Sequence, residues 1–285
     1  MTNTTAPTAN PTRSTADPGP ALHRVGRRAL AGRTALVTGA GTGIGAATAA
    51  ALATAGARVV LTGRRADRLQ AVTERLTAEL ADAGTEVPEL VAVTADVTDA
   101  AALTMALDRA RDQLGAGFDL VSANAGSMFA APFASADPGE WQRMLDTNVL
   151  GLLNTARATT DDLMAAGARG GPADLVLVSS IGARVAMPGY AVYFASKAAV
   201  SHLATNLHIE FGPRGVRVHS IEPGMTKSDL GQDMSDEASR QALADFAVAV
   251  PPMPASAIAD AITFAVAQPP VVTISSMVVL PTHQI

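Results

Sequence analysis

The sequence predicts an α/β fold, a doubly wound parallel sheet with helices on both faces, and three observations lead there. Short apolar runs alternate with longer amphipathic stretches from residue 34 onward, as repeated strand–helix crossovers require. One apolar run, Ala35 to Val37, enters a glycine-rich turn that opens into an alanine-rich stretch, Ala46 to Ala55. Hydrophobic residues make up 48% of the 285-residue chain, enough for one sizeable core,. Aromatics are only 4%, so Ala, Val and Leu must do most of the packing.

Strands are expected near 34–38, 57–62, 89–94, 118–123, 174–179, 215–221 and 275–280. Helices are expected near 43–55, 66–82, 99–114, 138–166, 190–211 and 255–267. Right-handed crossovers would put the helices on both sheet faces. Residues 225–250 have mixed polarity, with Met and Asp scattered through, and give no clear element. Residues 1 to about 28 are rich in Thr, Pro and Ala and hold no apolar run. Such a segment buries too little surface to offset its ordering entropy. The expectation is a flexible tail over 1–28 and a single domain over 29–285; an arm ordered at a subunit interface is the alternative reading.

Composition narrows the function. The net charge of −5 argues against nucleic acid as the main partner,. No apolar stretch reaches the roughly 18 residues of a membrane span. The chain has no cysteine, which removes disulfides, thiolate metal sites and cysteine nucleophiles, and fits a cytoplasmic protein,. The five histidines show no metal-ligand spacing, so no metal is expected.

The glycine turn carries the first chemistry. Gly39, Gly43 and Gly45 are spaced Gly-x-x-x-Gly-x-Gly, with Gly41, Thr42 and Ile44 between them. Strand, glycine turn and helix start form the context of a dinucleotide-binding loop. Glycines let the backbone approach the phosphates, and the helix N-terminus offers free N–H groups and partial positive charge. Tyr193 and Lys197 carry the second chemistry. They stand i and i+4 on an expected helix and share a face,. A nearby ammonium favours a phenolate, so Tyr193 is expected to have a lowered pKa and to act as general acid/base. Ser180 follows the apolar run Leu175 to Val178, at the carboxyl end of a strand where open α/β sheets present site residues,. Its hydroxyl could stabilise oxyanion charge; Ser179 is the competing candidate. Asn148 sits inside an expected helix, where Asn has low propensity. At the end of the second strand, Gly63 stands where NAD-specific enzymes usually place an acid, and Arg64 and Arg65 follow. A guanidinium there suits a 2′-phosphate. NADP(H) is therefore the preferred cofactor, with NAD(H) possible because Thr42 leaves the glycine loop without a basic residue.

Thr38-Gly39-x-x-x-Gly43-Ile44-Gly45 together with Tyr193-Phe194-Ala195-Ser196-Lys197 resembles the short-chain dehydrogenases/reductases. Other segments match in order over about Ala31 to Gln284: Asp96-Val97-Thr98-Asp99, Asn124-Ala125-Gly126, Asn148-Val149-Leu150-Gly151, Ser179-Ser180 and Pro223-Gly224. Ala123 replaces an Asn usual in the family. The resemblance implies a Rossmann-type sheet of about seven strands in order 3-2-1-4-5-6-7. It implies that Asn148, Ser180, Tyr193 and Lys197 are catalytic, Lys197 also binding the nicotinamide ribose. The thirteen-residue interval to Tyr193 selects Ser180 over Ser179. Asn148 would mark a backbone disturbance that holds a water on the way from Lys197 to solvent. Asp96 and Val97 would meet the adenine. Asn124, Ala125 and Gly126 would line the cofactor, and Pro223, Gly224, Met225, Thr226 and Ser228 would lie beside the nicotinamide. Residues 225–250 would cover the substrate. A homotetramer is implied.

Gln268-Pro269-Pro270, Val278 to Gln284 and Ile221-Glu222 resemble the branch with NADP-dependent 3-hydroxy acid dehydrogenases and clavaldehyde-reducing enzymes. Met128, Phe129, Met187, Tyr190 and Met225 are candidate pocket residues, an apolar and adaptable set. Arg184 or Lys227 is a possible carboxylate binder. The expected partner is a small or medium aldehyde, ketone or alcohol. A 3-oxoacyl-thioester reductase is the alternative, and a non-catalytic cofactor-binding or scaffold protein is the alternative of another class.

Overall fold

The computed structural model describes residues 26 and 28–284. The expected tail, 1–28, therefore lies almost wholly outside the described residues. The chain alternates strands and helices: β1 Thr34–Thr38, α1 Gly43–Thr54, β2 Arg58–Gly63, α2 Ala66–Asp82, β3 Leu90–Thr94, α3 Ala100–Leu114, β4 Leu120–Ala123, α4 Pro138–Leu145, α5 Gly151–Ala168, β5 Ala173–Val178, α6 Ala191–Phe211, β6 Val216–Pro223, α7 Glu237–Ala249, α8 Ala255–Val266 and β7 Ser276–Val279. The seven strands form one sheet in the order β3-β2-β1-β4-β5-β6-β7, and every pairing is parallel.

Strand periodicity builds the two cores. In β1, Leu36 faces a cluster with Leu107, Leu163 and Val200, from α3, α5 and α6. Its neighbours Ala35 and Val37 face the opposite cluster with Leu52, Leu69 and Ile262, from α1, α2 and α8. Each fully buried Leu contributes about 1.5–3 kcal/mol. Both faces are covered, so the central strands read as unbroken apolar runs. The strands all point their carboxyl ends one way, and the order reverses between β1 and β4. A crevice opens there by topology.

Two expectations need correction. The stretch 138–166 is not one helix: a π-helical turn, Asp146–Leu150, separates α4 from α5. Its centre is Asn148, whose side chain takes up backbone groups from a neighbouring loop. The stretch 225–250 is not without structure, since it contains α7. No α7 residue is buried, so no apolar stripe announced the helix.

Candidate active site

The glycine turn joins β1 to α1 at the crevice. Gly39 and Gly43 have φ of 66° and 52°, left-handed values that side chains disfavour. Gly45 has no space: a Cβ there would run into the Gly39 carbonyl and the Asn124 amide. Thr38 Oγ1 accepts from the N–H groups of Asn124 at 3.0 Å and Ala125 at 3.1 Å, and Asn124 Nδ2 donates to Thr38 O at 3.0 Å. Asn124 thus braces the loop after β4 against β1.

The start of α1 is uncapped by side chains, unlike those of α3 and α4 but like those of α6 and α8. Asp99 caps α3 by accepting from Ala102 N, and Asp137 caps α4 by accepting from Gly139 N. Thr42 makes no side-chain cap, and α1 has no acid in its first turn. Its free N–H groups and positive dipole end are left for an external anion. Ser228 lies against this loop, since a Cβ on Gly43 would stand 3.1 Å from Ser228 Cβ. Arg64 and Arg65 are exposed at the end of β2 and make no ion pair among the described residues. A glycine cradle, an uncapped helix start and two uncommitted guanidiniums fit a phosphorylated dinucleotide. When bound, its nicotinamide supplies or accepts hydride.

Tyr193, Ser180, Lys197 and Asn148 converge at the carboxyl ends of β4 and β5. All are buried, with exposures of 5%, 8%, 5% and 1%. Ser180 caps the 3₁₀ turn Ile181–Ala183 by accepting from Gly182 N at 3.0 Å. Lys197 Nζ donates to Val178 O at 3.0 Å and lies 6.0 Å from the Tyr193 ring centroid. A Cβ on Gly126 would stand 3.6 Å from Lys197 Nζ, which places the loop after β4 at the ammonium. Asn148 Oδ1 accepts from Ser127 N at 2.8 Å, while Asn148 Nδ2 donates to Ser127 O at 2.9 Å and Ser196 Oγ at 3.0 Å. The π turn carries this amide into the site, a frequent use of π bulges. Ser179 is committed elsewhere: its hydroxyl donates to Lys197 O at 2.8 Å.

The electrostatics correct one expectation. Tyr193 is not shifted down; burial pushes it up to about 12, and a hydrogen bond with Ser180 only partly opposes this. Burial likewise pulls Lys197 down to about 8. Desolvation, which disfavours either charge, is the largest cause of the Tyr193 shift and the cause of the Lys197 shift,. The phenol is thus held as a proton donor through the neutral range.

The remaining expected residues divide. Phe129 and Tyr190 pack with Tyr193 in one cluster that also holds Met144 and Met234, and Met128 borders it. Met187 is 40% exposed and lies outside this cluster. The N–H of Met225 donates to Gln284 Oε1 at 2.7 Å, so it is committed to the C-terminal segment. Thr226 Oγ1 bonds Gly224 O, folding the turn after Pro223 on itself. Asp96 closes a local turn by accepting from Thr98 N at 2.9 Å, and Val97 is buried. Arg184, a possible carboxylate binder, is paired with Glu222.

Sequence reasoning missed two residues that close the site. Met234, only 1% exposed, drops from the 225–250 segment into the Tyr193 cluster. Glu140 of α4, 2% exposed, accepts from Ser235 N at 3.0 Å. A lone Met between Asp233 and Ser235 was the available signal. Among the described residues, no helix is long and apolar enough to cross a membrane.

Comparison with known proteins agrees with this geometry. Residues 33–239 match the short chain dehydrogenase family. Glycine betaine reductase ATRR of Emericella nidulans is 33% identical over 201 residues, which is 70% of this chain but only 15% of that much longer protein. Sulfoacetaldehyde reductase 2 of Chromohalobacter salexigens is 32% identical over 87% of this chain and 94% of its own length. Among solved structures, the 3-ketoacyl-(acyl-carrier-protein) reductase of Brucella melitensis, complexed with NADH, superposes with a TM-score of 0.75 at 27% identity, covering 90% of this chain and 100% of that one. With the expected strand order, a dinucleotide cradle at its crevice and reductases as its relatives, the chain belongs to the short-chain dehydrogenases/reductases and is an oxidoreductase acting between alcohol and carbonyl groups.

Proposed function

We propose that this enzyme is an NADP(H)-preferring reductase of small or medium aldehydes and ketones, with Tyr193 as its general acid/base. The observation that carries the reading is the burial of Tyr193 and Lys197 together beside Ser180. Ser180 holds the substrate carbonyl oxygen by its hydroxyl. Tyr193 gives its proton to that oxygen as hydride arrives at the carbon, leaving an alcohol. Lys197 holds the nicotinamide ribose and favours the phenolate left behind. Asn148 keeps the loop after β4 and the start of α6 in register with both.

Arg64, with Arg65 beside it, binds the 2′-phosphate. Gly39, Gly41, Thr42, Gly43 and Ile44 cradle the pyrophosphate, and Ser228 closes over it. The wall beside Tyr193 is Phe129, Met144, Tyr190 and Met234, none of them charged. That favours a substrate with a compact apolar body over a sulfonate or carboxylate. A cytoplasmic homotetramer completes the reading. The test is a panel of aldehydes, ketones, acidic aldehydes and 3-oxoacyl thioesters with NADPH and NADH. Fastest turnover of a neutral aldehyde with NADPH supports the proposal. Preference for an acyl thioester would replace it with the 3-oxoacyl reductase reading, which the likeness to the Brucella enzyme favours.

A further inference from the structure

Glu222 lies in β6 immediately before Pro223 and is 1% exposed. A carboxylate so deep is retained only with partners, and its partners come from α6, β6, β7 and the turn after Ser180. Arg184, which directly follows the 3₁₀ turn capped by Ser180, donates through Nε to Glu222 Oε2 and through Nη2 to Oε1 at 3.2 Å. Ser220 Oγ and Ser276 Oγ, from β6 and β7, each lie 3.3 Å from Oε1. Ser201 Oγ, on α6, is 3.2 Å from Oε1 and 2.8 Å from Ser179 Oγ. Ser179 in turn donates to the main-chain carbonyl of Lys197 at 2.8 Å.

One buried carboxylate therefore joins three parts of the site. Through Arg184 it fixes the turn that aims Ser180. Through Ser201 and Ser179 it fixes the α6 carbonyl of Lys197, one turn beyond Tyr193. Through the chain itself it fixes the Pro223-Gly224 turn. Glu222 touches neither Tyr193 nor Ser180, and Arg184 stands between it and solvent. We propose that Glu222 is a positioning residue of the reaction, holding Ser180 and the Tyr193–Lys197 helix at their working separation. This rests on the reading of Ser180, Tyr193 and Lys197 as the reacting set.

The test uses the full chain with NADPH and 4-nitrobenzaldehyde. Glu222→Gln keeps the shape and removes the charge that grips Arg184. Its kcat should fall about 10–100-fold, as small displacements of reacting groups do. KM and the NADPH Kd, read by fluorescence titration, should stay within about threefold. The pH–rate profile should shift as well, because the Tyr193–Lys197 geometry changes. Ser201→Ala should lower kcat by a smaller factor, and the double mutant should fall short of the product of the two effects. A Glu222→Gln enzyme with unchanged kcat and pH profile but a lower melting temperature overturns the proposal, since the carboxylate is then structural only. A parallel weakening of NADPH overturns it too, as an effect on the cofactor site. If Glu222→Gln does not fold, Ser201→Ala decides alone by the same split between kcat and Kd. Tyr193→Phe is measured alongside. If it keeps its turnover, the reaction reading fails and the positioning role falls with it; if it is inactive while Glu222→Gln is not impaired, only the positioning role fails.

Discussion

Asp174 at the amino end of the sheet and the Tyr193–Lys197 pair at its carboxyl end are buried in opposite ways. At the amino end, Asp174 of β5 is fully buried and fully partnered. It accepts from Arg217 Nε at 2.7 Å and Nη2 at 2.9 Å, from Arg33 Nη2 at 2.8 Å, and pairs with His219 Nε2 at 2.9 Å. Arg33 also grips Asp119 at 2.6 Å. Arg217 donates to the carbonyls of Val266, Gln268, Pro269 and Val272. Both ring nitrogens of His219 face oxygens, the second being Ile274 O at 2.8 Å. This floor ties the loop after α8 to the sheet. At the carboxyl end, Lys197 faces a neutral carbonyl instead of a carboxylate, and Tyr193 has only a serine hydroxyl opposing its burial. Paired buried charges hold a structure together, whereas unpaired ones shift their proton affinities and do chemistry.

Removing a group from each end should separate these roles. Tyr193→Phe deletes only the hydroxyl, so turnover should drop by about 100- to 10,000-fold, with NADPH affinity and melting temperature nearly unchanged. Asp174→Asn should do the reverse. Breaking a buried ionic cluster on one side costs about 3–5 kcal/mol, measured as a lower urea midpoint, while the surviving folded enzyme keeps its kcat. A Tyr193→Phe protein that loses stability, or an Asp174→Asn protein that loses kcat, would erase the contrast.

Acid should expose the same floor. Burial alone would raise the Asp174 carboxyl, but its hydrogen bonds to His219 and Arg217 and the charge of Arg33 hold it below the usual range. An acid with a depressed folded pKa stabilises above its unfolded value, near about 4, and loses that contribution as pH falls through the folded value. Asp119 works the other way, because burial raises it more than Arg33 lowers it. Urea midpoints between about pH 6 and pH 3 should fall in wild type and flatten in Asp174→Asn.

The two ends also differ in how far the sequence reveals them. The site end is written in short-range spacing: a glycine turn, Tyr193 and Lys197 four apart, two serines after an apolar run. Its partners could be read in order along the chain. The floor joins Arg33, Asp119, Asp174, Arg217 and His219, which share no spacing and meet only because parallel strands align their amino ends. Helical periodicity runs one helix through Asp146–Leu150, and the π turn there is legible only through the family resemblance, which makes Asn148 the mark of a backbone disturbance. Glu222 was legible as a motif residue but not as a hub, since its partners come from α6, β7 and the turn after Ser180. The direction of the Tyr193 shift was also beyond reach. Sequence shows the neighbouring ammonium but not the depth of burial that raises the phenol.

Cofactor choice sharpens the comparison at a third place, the exposed rim beside β2. Arg64 and Arg65 there are solvated and unpaired, unlike the floor arginines. Arg64→Ala should weaken NADPH by about 10–100-fold, the worth of one charged hydrogen bond, and should hardly change NADH. The melting temperature should not move, because nothing in the fold leans on this side chain. Arg33→Ala provides the opposite case, with large destabilisation and no change in cofactor preference. If Arg64→Ala and the Arg64→Ala/Arg65→Ala double mutant weaken both cofactors equally, the pair acts through general electrostatics, and the NADP assignment loses its main support.

The smallest expected effect is a shift in pH dependence. Burial places Lys197 at about 8, while Tyr193 stays protonated to about 12. Carbonyl reduction needs the phenol to carry its proton, which it does throughout the neutral range. The limb that matters is then the lysine: as pH rises through about 8, Lys197 loses its proton and with it the charge that favours the phenolate formed on proton transfer,. Reduction should be flat below that point and decline above it. Arginine stays protonated far higher, so Lys197→Arg should lower the plateau, because a planar guanidinium differs in shape from the ammonium that donates to Val178 O,, yet carry the declining limb upward in pH. Rates compared after scaling each profile to its own plateau separate the two effects. A limb that stays near 8 in Lys197→Arg would assign it to another group and would leave Lys197 as a binding residue whose charge state does not govern the proton transfer.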